Sequence, residues 1–181
     1  MIVWTIGHST RTADEFLDIL RAHGIRRLVD VRRFPGSRRH PQFGREALAS
    51  LLKEAGIDYL WLPELGGRRN PRPDSPNTAW RNSSFRGYAD YMETPAFEAA
   101  MSRLIAAARE RPTAIMCAEA LWWRCHRALI SDYLKVRNSD ILHITDASHA
   151  TPHPYTSAAR VVDGRLSYAA EAPGHDAGTL L

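Results

Sequence analysis

The residues best suited to chemistry lie in one short segment, Cys117-x-Glu119-x5-Cys125-His126-Arg127. A carboxylate and an imidazole can move protons, a thiolate can attack as a nucleophile or bind a metal, and a guanidinium binds anions. The spacing is compatible with a metal site, with a nucleophilic cysteine, or with an acid–base site that includes an anion-binding arginine. Each interpretation requires a different arrangement of these side chains.

A metal site would use Cys117, Glu119, Cys125 and His126, which are all acceptable ligand types. The segment has no Cys-x2-Cys pair, however, and adjacent positions on a helix over residues 124–136 would point about 100° apart. We therefore keep a metal-binding protein as an alternative, and the sequence assigns neither a metal nor another cofactor.

A nucleophilic Cys117 would lie between a strand and a helix, where backbone N–H groups stabilise a thiolate. The order is faintly similar to rhodanese-like proteins and cysteine phosphatases, but Arg124 is the seventh residue after Cys117, so a Cys-x5-Arg spacing is not met. Glu119 would also repel an anion there. We favour the third interpretation, in which the thiols pack beneath the site, Glu119 transfers protons and Arg127 binds an anion.

Titratable or bidentate side chains also follow the other predicted strands. They are His8 after the first strand, Asp30 with Arg32 and Arg33 at the second, and Glu64 with Arg68 after the third. Because ligands of open α/β sheets bind at the carboxyl ends of the strands, we expect these groups to share one site. Arginine accounts for all but Lys53 and Lys135 of the 24 basic residues, which either reflects a GC-rich genome or serves phosphate recognition.

Hydrophobic patterning predicts the elements that position these residues. Apolar runs predict strands over residues 2–6, 27–31, 58–62, 113–116 and 141–144, and helical spacing predicts helices between Thr12 and Gly24, over 45–55 and 85–93, from Pro95, and over 124–136. Strands that alternate with helices predict a three-layer α/β fold with a mainly parallel five-stranded sheet and helices on both faces. Asp163-Gly164 predicts a C-terminal hairpin.

Length and composition bound the remaining possibilities. The chain has 181 residues, 44% of them hydrophobic, which predicts a single globular domain over residues 1–170 followed by a frayed tail over 171–181. The Pro- and Gly-rich segment 63–84 is typical of a lid, a binding loop or a surface insertion. No apolar run approaches the roughly 18 residues of a membrane span, and no secretory signal is evident, so we expect a cytoplasmic protein without a membrane partner.

Several blocks of sequence resemble a known family. They are residues 6–10 (IGHST), 29–32 (VDVR), 64–67 (ELGG), 85–92 (FRGYADYM), 117–119 (CAE) with 125–127 (CHR), and 152–156 (PHPYT). Together they are similar to the bacterial and archaeal family catalogued as domain of unknown function 488, over about residues 2–169. The resemblance implies a compact α/β domain and brings no established activity.

The sequence therefore predicts an enzyme of the hydrolase or transferase class that acts on an anionic, phosphate-bearing substrate such as a nucleotide or a nucleic-acid component. The candidate catalytic residues are Glu119, Asp30, His8, Cys117 and His126. The candidate substrate-binding residues are Arg32, Arg38, Glu64, Arg68, Tyr88 and Arg127. A non-catalytic nucleic-acid-binding module is the second alternative to this enzyme, and the sequence does not indicate an oligomeric state.

Overall fold

The computed structural model describes residues 1–171 and contains a six-stranded sheet in the order β3-β2-β4-β1-β5-β6. The tail predicted over 171–181 lies outside the described residues except for its first residue. The strands of the sheet are β1 (Ile2–Gly7), β2 (Arg27–Asp30), β3 (Asp58–Trp61), β4 (Thr113–Cys117), β5 (Asp140–Ile144) and β6 (Ala150–Pro152). The first five are parallel, as predicted, and β6 pairs antiparallel with β5.

The sixth strand is the one element of the sheet that the sequence pattern does not predict. It has three residues and ends in Pro152, so it lacks the apolar run that identifies a buried strand. Proline donates no hydrogen bond, which fits its place on an edge strand. The predicted hairpin is confirmed as β7 (Arg160–Val162) and β8 (Arg165–Ser167), joined by Asp163 and Gly164, both with positive φ.

Five helices cover the two faces of the sheet and produce the predicted three layers. They are α1 (Ala13–Ala22), α2 (Arg45–Glu54), α3 (Ser83–Tyr91), α4 (Pro95–Glu110) and α5 (Arg127–Lys135). Phe16 and Leu20 of α1 and Leu48 of α2 are buried in one hydrophobic core, whereas Phe97 of α4 and Leu129 of α5 are buried in the other. A capping box begins α1, since Thr12 and Glu15 exchange hydrogen bonds of 3.0 and 3.1 Å.

The connections leave the sheet on opposite faces around β4. The crossovers from β1 and from β2 pass through α1 and α2 on one face, and the crossover from β4 passes through α5 on the other. Each side of β4 is therefore a topological switch point, where the loops diverge and a crevice opens at the carboxyl ends of the strands. Within residues 1–171, no helix has the length and apolar character needed to cross a membrane.

Candidate functional site

A cavity of about 370 Å³ opens at the carboxyl ends of β2 and β4, at one of these switch points. Its walls come from the loops after β2 and β4, from the Gly67–Arg68 turn and from the start of α3. The side chains that matter for chemistry are those of Arg32, Arg33, Phe34, Arg68, Phe85, Tyr88, Cys117, Glu119, Arg124, Cys125 and His126. A second depression of about 450 Å³ lies on the other side of β4 and is lined by His8, Ser9, Arg39, His40, Glu119 and Arg124.

Glu119 lies between the two cavities because the loop after β4 crosses directly over the end of β1. The backbone N–H groups of His8 and Ser9 donate to the carbonyls of Cys117 and Ala118, both at 2.9 Å. A Cβ atom at Gly7 would approach the Glu119 carbonyl oxygen to 1.8 Å, so only glycine permits this crossing. The side chain of Glu119 is exposed and contributes to both walls.

Three arginines give the cavity a positive charge that the protein leaves uncompensated. Arg33, Arg68 and Arg124 are exposed, and within residues 1–171 none of them has a carboxylate in ion-pair range. Arg68 also has a φ of 60°, a backbone conformation that non-glycine residues rarely adopt and that occurs often at functional sites. This wall can bind an anion through guanidinium groups, of which Arg33 would give up a 3.4 Å hydrogen bond to the Arg68 carbonyl.

Arg32 differs from these three arginines because Asp30 already neutralises it. The fully buried Asp30 carboxylate accepts hydrogen bonds from Arg32 Nη2 at 2.6 Å and from Arg32 Nε at 2.8 Å. Tyr59 Oη donates to the same carboxylate at 2.6 Å. Burial, together with the charge of Asp30, raises the pKa of Tyr59, so the phenol remains a donor. The pair therefore forms the rigid base of the loop after β2.

His126 presents a neutral imidazole to the cavity. Its Nε2 lies 3.0 Å from the Val31 carbonyl, which can only accept, so Nε2 carries the proton and Nδ1 holds a lone pair. Burial lowers the pKa of His126, so the ring is uncharged at neutral pH. A Cβ atom at Gly67 would lie 2.9 Å from Nδ1, which shows how closely the Gly67 backbone packs against this ring. A neutral imidazole with a lone pair at a cavity wall can accept a proton.

The two cysteines lie side by side on the cavity floor, with Sγ atoms 2.9 Å apart. The sequence predicts that the helix after β4 begins at Arg124, but this expectation is wrong: α5 begins at Arg127, residues 122–124 form a single 3₁₀ turn, and Cys125 is extended with φ −139°. The extended backbone turns Cys125 towards Cys117, which a position within a helix would not do. Because Cys125 is not helical, the 100° angle between adjacent helical positions does not apply to Cys125 and His126.

Arg127 lies below the cavity and does not line it. Its guanidinium donates to Cys125 Sγ, to Thr5 Oγ1 and to the carbonyls of Glu119 and Ala120, and the residue is 1% exposed. These contacts fix the loop that carries Glu119. In this arrangement the guanidinium positions the site from beneath instead of facing a ligand in the cavity.

A buried chain of hydrogen bonds continues from Arg127 across the sheet. Thr5 Oγ1 lies 2.6 Å from His143 Nδ1, His143 Nε2 lies 2.9 Å from His153 Nδ1, and His153 Nε2 lies 2.9 Å from Asp132 Oδ1. Since Asp132 only accepts, His153 Nε2 carries a proton and donates to it. Burial and the neighbouring His153 lower the pKa of His143 to about 2. Trp122 stacks on His143 with ring centroids 4.3 Å apart, so this tryptophan packs instead of facing the cavity.

His8 lies at the second depression and is also held neutral. Its Nδ1 donates to the Ser9 carbonyl at 2.9 Å, so Nε2 accepts from Arg32 Nη1 at 3.3 Å. The ring stacks on Phe43 with centroids 4.4 Å apart. Burial is the main cause that lowers the pKa of His8 to about 4, and the charge of Arg32 acts in the same direction.

We predict that His8 makes the protein less stable in mild acid. Between about pH 6.5 and pH 4, the unfolded chain protonates this imidazole and the folded protein does not. The free energy of unfolding therefore falls as the pH is lowered through this window, by up to about 1.4 kcal/mol per pH unit from this ring. Urea titrations of the parent and of His8→Asn measure the effect, and the variant is expected to show a shallower slope.

The comparison of the two proteins isolates the contribution of one ring. His143 keeps its titration in both proteins, so the difference between the two slopes isolates His8. Equal slopes for the parent and His8→Asn would contradict the neutral assignment of His8.

The structure places the predicted site residues in four locations. Six line the main cavity: Arg32, Arg68, Tyr88, Cys117, Glu119 and His126. His8 lines the second depression, and Asp30 and Arg127 lie beneath. Arg38 lines neither cavity, and Glu64 lies 3.6 Å from Arg103 on α4, outside both. Of the segment 63–84, Gly67, Arg68 and Ser84 line the main cavity.

The lining also contains residues that the sequence analysis did not assign to the site. Arg33 lines the cavity as expected for a group after β2, whereas Arg124 was not assigned, although its place after β4 is a signal that could have identified it. Phe34 is 65% exposed and, with Phe85 and Tyr88, gives the cavity an aromatic wall. Stacking surfaces of this kind accept a nucleobase. Among residues 1–171, no group of three or more His, Cys, Asp or Glu side chains is arranged to hold a metal ion.

Comparison with known proteins gives one match. A family model described as "Domain of unknown function DUF488" matches residues 12–134, which confirms the resemblance seen in the sequence. The matched range includes the blocks at 29–32, 64–67, 85–92 and 117–127, and it excludes those at 6–10 and 152–156. No curated protein and no solved structure matches the chain.

Proposed function

Because the chain belongs to the family described as domain of unknown function DUF488, its activity has to be argued from its own site, and we propose that it is an enzyme for a phosphate-bearing, nucleotide-like anion. The observation that carries the proposal is the convergence of Arg33, Arg68 and Arg124 with Glu119 and His126 around one cavity. Uncompensated arginines supply anion binding, and the carboxylate and neutral imidazole supply proton transfer.

Each wall of the cavity has a separate task in this proposal. The arginines bind the phosphate oxygens in bidentate geometry, and Phe34 and Phe85 stack against the base. His126 Nδ1 accepts a proton from an attacking water or hydroxyl group, and Glu119 supplies or removes the second proton. Such groups serve a hydrolase or a transferase, and Asp30, Arg32 and Arg127 hold the loops in place.

The binding step predicts a large effect from one exposed arginine. Arg68→Ala removes a charged hydrogen-bond donor, a contact worth about 1.5–3 kcal/mol, so we expect the affinity for a nucleoside monophosphate to fall about 10- to 100-fold. Isothermal titration calorimetry against AMP, adenosine and inorganic phosphate measures this change. Adenosine, which lacks the phosphate, is expected to bind far more weakly than AMP.

Arg109→Ala is the matched control for Arg68→Ala. Arg109 is an exposed arginine in the last turn of α4 that lines neither cavity, so its removal changes the net charge equally without touching the site. Equal losses of affinity in the two variants would show that general electrostatics, and not this cavity, binds the anion. The absence of any thermal shift with AMP, ADP or phosphate would overturn the proposal.

The catalytic assignment is separated from binding by Glu119→Gln. This variant keeps the size of the side chain and one acceptor oxygen but replaces the other oxygen by an amide NH2 that does not act as an acid or base, so it is expected to bind the nucleotide and lose turnover. Tight, strongly salt-dependent binding of an oligonucleotide that survives Glu119→Gln, without turnover of any nucleotide, would favour the nucleic-acid-binding alternative.

A further inference from the structure

The two cysteines of the chain form a pair whose arrangement the proposed acid–base chemistry does not use. Cys117 ends β4 and Cys125 precedes α5, and their Sγ atoms lie 2.9 Å apart. Both residues are nearly buried, at 3% and 6% exposure, and both line the cavity, which is their route to solvent. No other cysteine exists in the sequence, so the pair has no competing thiol within the chain.

The surroundings of the two sulfur atoms are unequal. Cys125 Sγ accepts hydrogen bonds from Arg127 Nε at 3.1 Å and from the Arg127 backbone N–H at 3.4 Å. Either sulfur could donate in the contact between Cys117 and Cys125, but the two hydrogen bonds from Arg127 to Cys125 favour Cys125 as the acceptor and Cys117 as the donor. Cys125 therefore has the surroundings of an attacking sulfur, and Cys117 has those of a resolving sulfur.

The electrostatics of the pair agree with this geometry. Burial opposes ionisation of the Cys125 thiol, but the hydrogen bond from Cys117 and the charge of Arg127 outweigh it and lower the pKa of Cys125. Burial raises the pKa of the Cys117 thiol, as does the adjacent Cys125. The thiolate, which is the reactive form of cysteine, therefore belongs to Cys125.

We propose that Cys125 and Cys117 are a peroxide-reactive redox pair, with Cys125 as the attacking thiolate and Cys117 as the resolving thiol. The Cys125 sulfur attacks one oxygen of a hydroperoxide, the O–O bond breaks, and the products are a Cys125 sulfenic acid and an alkoxide or hydroxide. Cys117 sulfur then attacks the sulfenic sulfur, an S–S bond forms, and the hydroxyl leaves as water with the Cys117 proton.

The geometry favours the second step because the resolving sulfur is already in contact with the attacked one. An external dithiol returns the pair to two thiols by exchange and becomes a disulfide itself. This activity is independent of the proposed acid–base function. It uses the cavity as an entrance for a small oxidant and requires neither Glu119 nor the exposed arginines.

Titration of the reduced full-length protein with hydrogen peroxide tests the proposal. We expect intact-protein mass spectrometry to show the loss of two hydrogen atoms and a thiol count after denaturation that falls from two to none. A dithiol reductant is expected to restore both thiols. Retention of both thiols, or a dimer linked by a disulfide on a non-reducing gel, would overturn the proposal.

Two serine variants assign the roles of the cysteines. Cys117→Ser lacks the resolving thiol, so dimedone, which labels sulfenic acids, is expected to modify Cys125 after peroxide treatment. Cys125→Ser lacks the attacking thiolate, and its remaining thiol is expected to react at least about tenfold more slowly than the parent. Dimedone on Cys117 instead would reverse the assignment. If a serine variant fails to fold, the mass measurement on the wild-type protein still tests the proposal.

The outcomes for the two functions of the cavity remain distinguishable. AMP titration of the reduced parent protein reports on the arginines, and peroxide titration without nucleotide reports on the thiols. Failure of one measurement leaves the other intact.

Discussion

Asp30→Asn is expected to lower the free energy of unfolding by about 3–5 kcal/mol, because it leaves the charge of Arg32 without its partner in a buried position. Asp30 is fully buried and accepts from the Arg32 backbone N–H, from Arg32 Nε and Nη2, and from Tyr59 Oη. Arg32 is 8% exposed and meets solvent only where it lines the cavity, so water replaces little of the lost carboxylate. Urea unfolding at pH 7 measures the change.

Asp58→Asn is the matched control at the opposite end of the same pair of strands. Asp58 also pairs with arginines, at 3.1 Å with Arg27 and at 2.8 Å with Arg111, but its side chain is 44% exposed. An exposed ion pair of this kind contributes about 0–1 kcal/mol. Tyr59→Phe removes one hydrogen bond to Asp30 and is expected to cost about 1 kcal/mol. Equal losses for the two aspartate variants would contradict the interpretation of Asp30 and Arg32 as a buried structural pair.

Sequence pattern was sufficient for the parallel sheet because its central strands are continuous apolar runs. All five residues of β4, Thr113–Cys117, are buried, and such strands are recognised without knowledge of their neighbours. The strand-end rule also located the cavity, because it depends only on the order of elements and not on their exact packing. Arg68, Cys117, Glu119 and His126 reach the cavity for this reason.

The burial of individual polar groups could not be predicted in the same way. Arg127 binds Thr5, which is 122 positions away in the sequence, and its burial follows from that contact and from the loop at Glu119. The helix start at Arg127 depends equally on the 3₁₀ turn over residues 122–124, which helical spacing does not reveal. Long-range pairing therefore decided which charged residues face the cavity and which lie beneath it.

A variant of the buried Arg127 tests whether this residue holds the site from beneath or contacts a ligand. Arg127→Met is expected to lower the free energy of unfolding by about 3–5 kcal/mol, because it removes the donors to Cys125 Sγ, Thr5 Oγ1 and two loop carbonyls. Methionine fills most of the volume, so the loss reports on the charge and the hydrogen bonds more than on a void. Urea unfolding at pH 7 gives the value.

Arg124→Met supplies the matched control, since Arg124 is exposed, lies three residues earlier and lines both cavities. Its removal is expected to change the free energy of unfolding by less than about 0.5 kcal/mol and to weaken AMP binding. Arg127→Met should therefore affect mainly the unfolding measurement, and Arg124→Met mainly the binding measurement. If Arg127→Met unfolds as the parent does and loses AMP affinity instead, Arg127 contacts the ligand directly. The guanidinium that the structure buries beneath Glu119 would then have to turn into the cavity, which would require breaking its contacts with Thr5 and with the loop carbonyls.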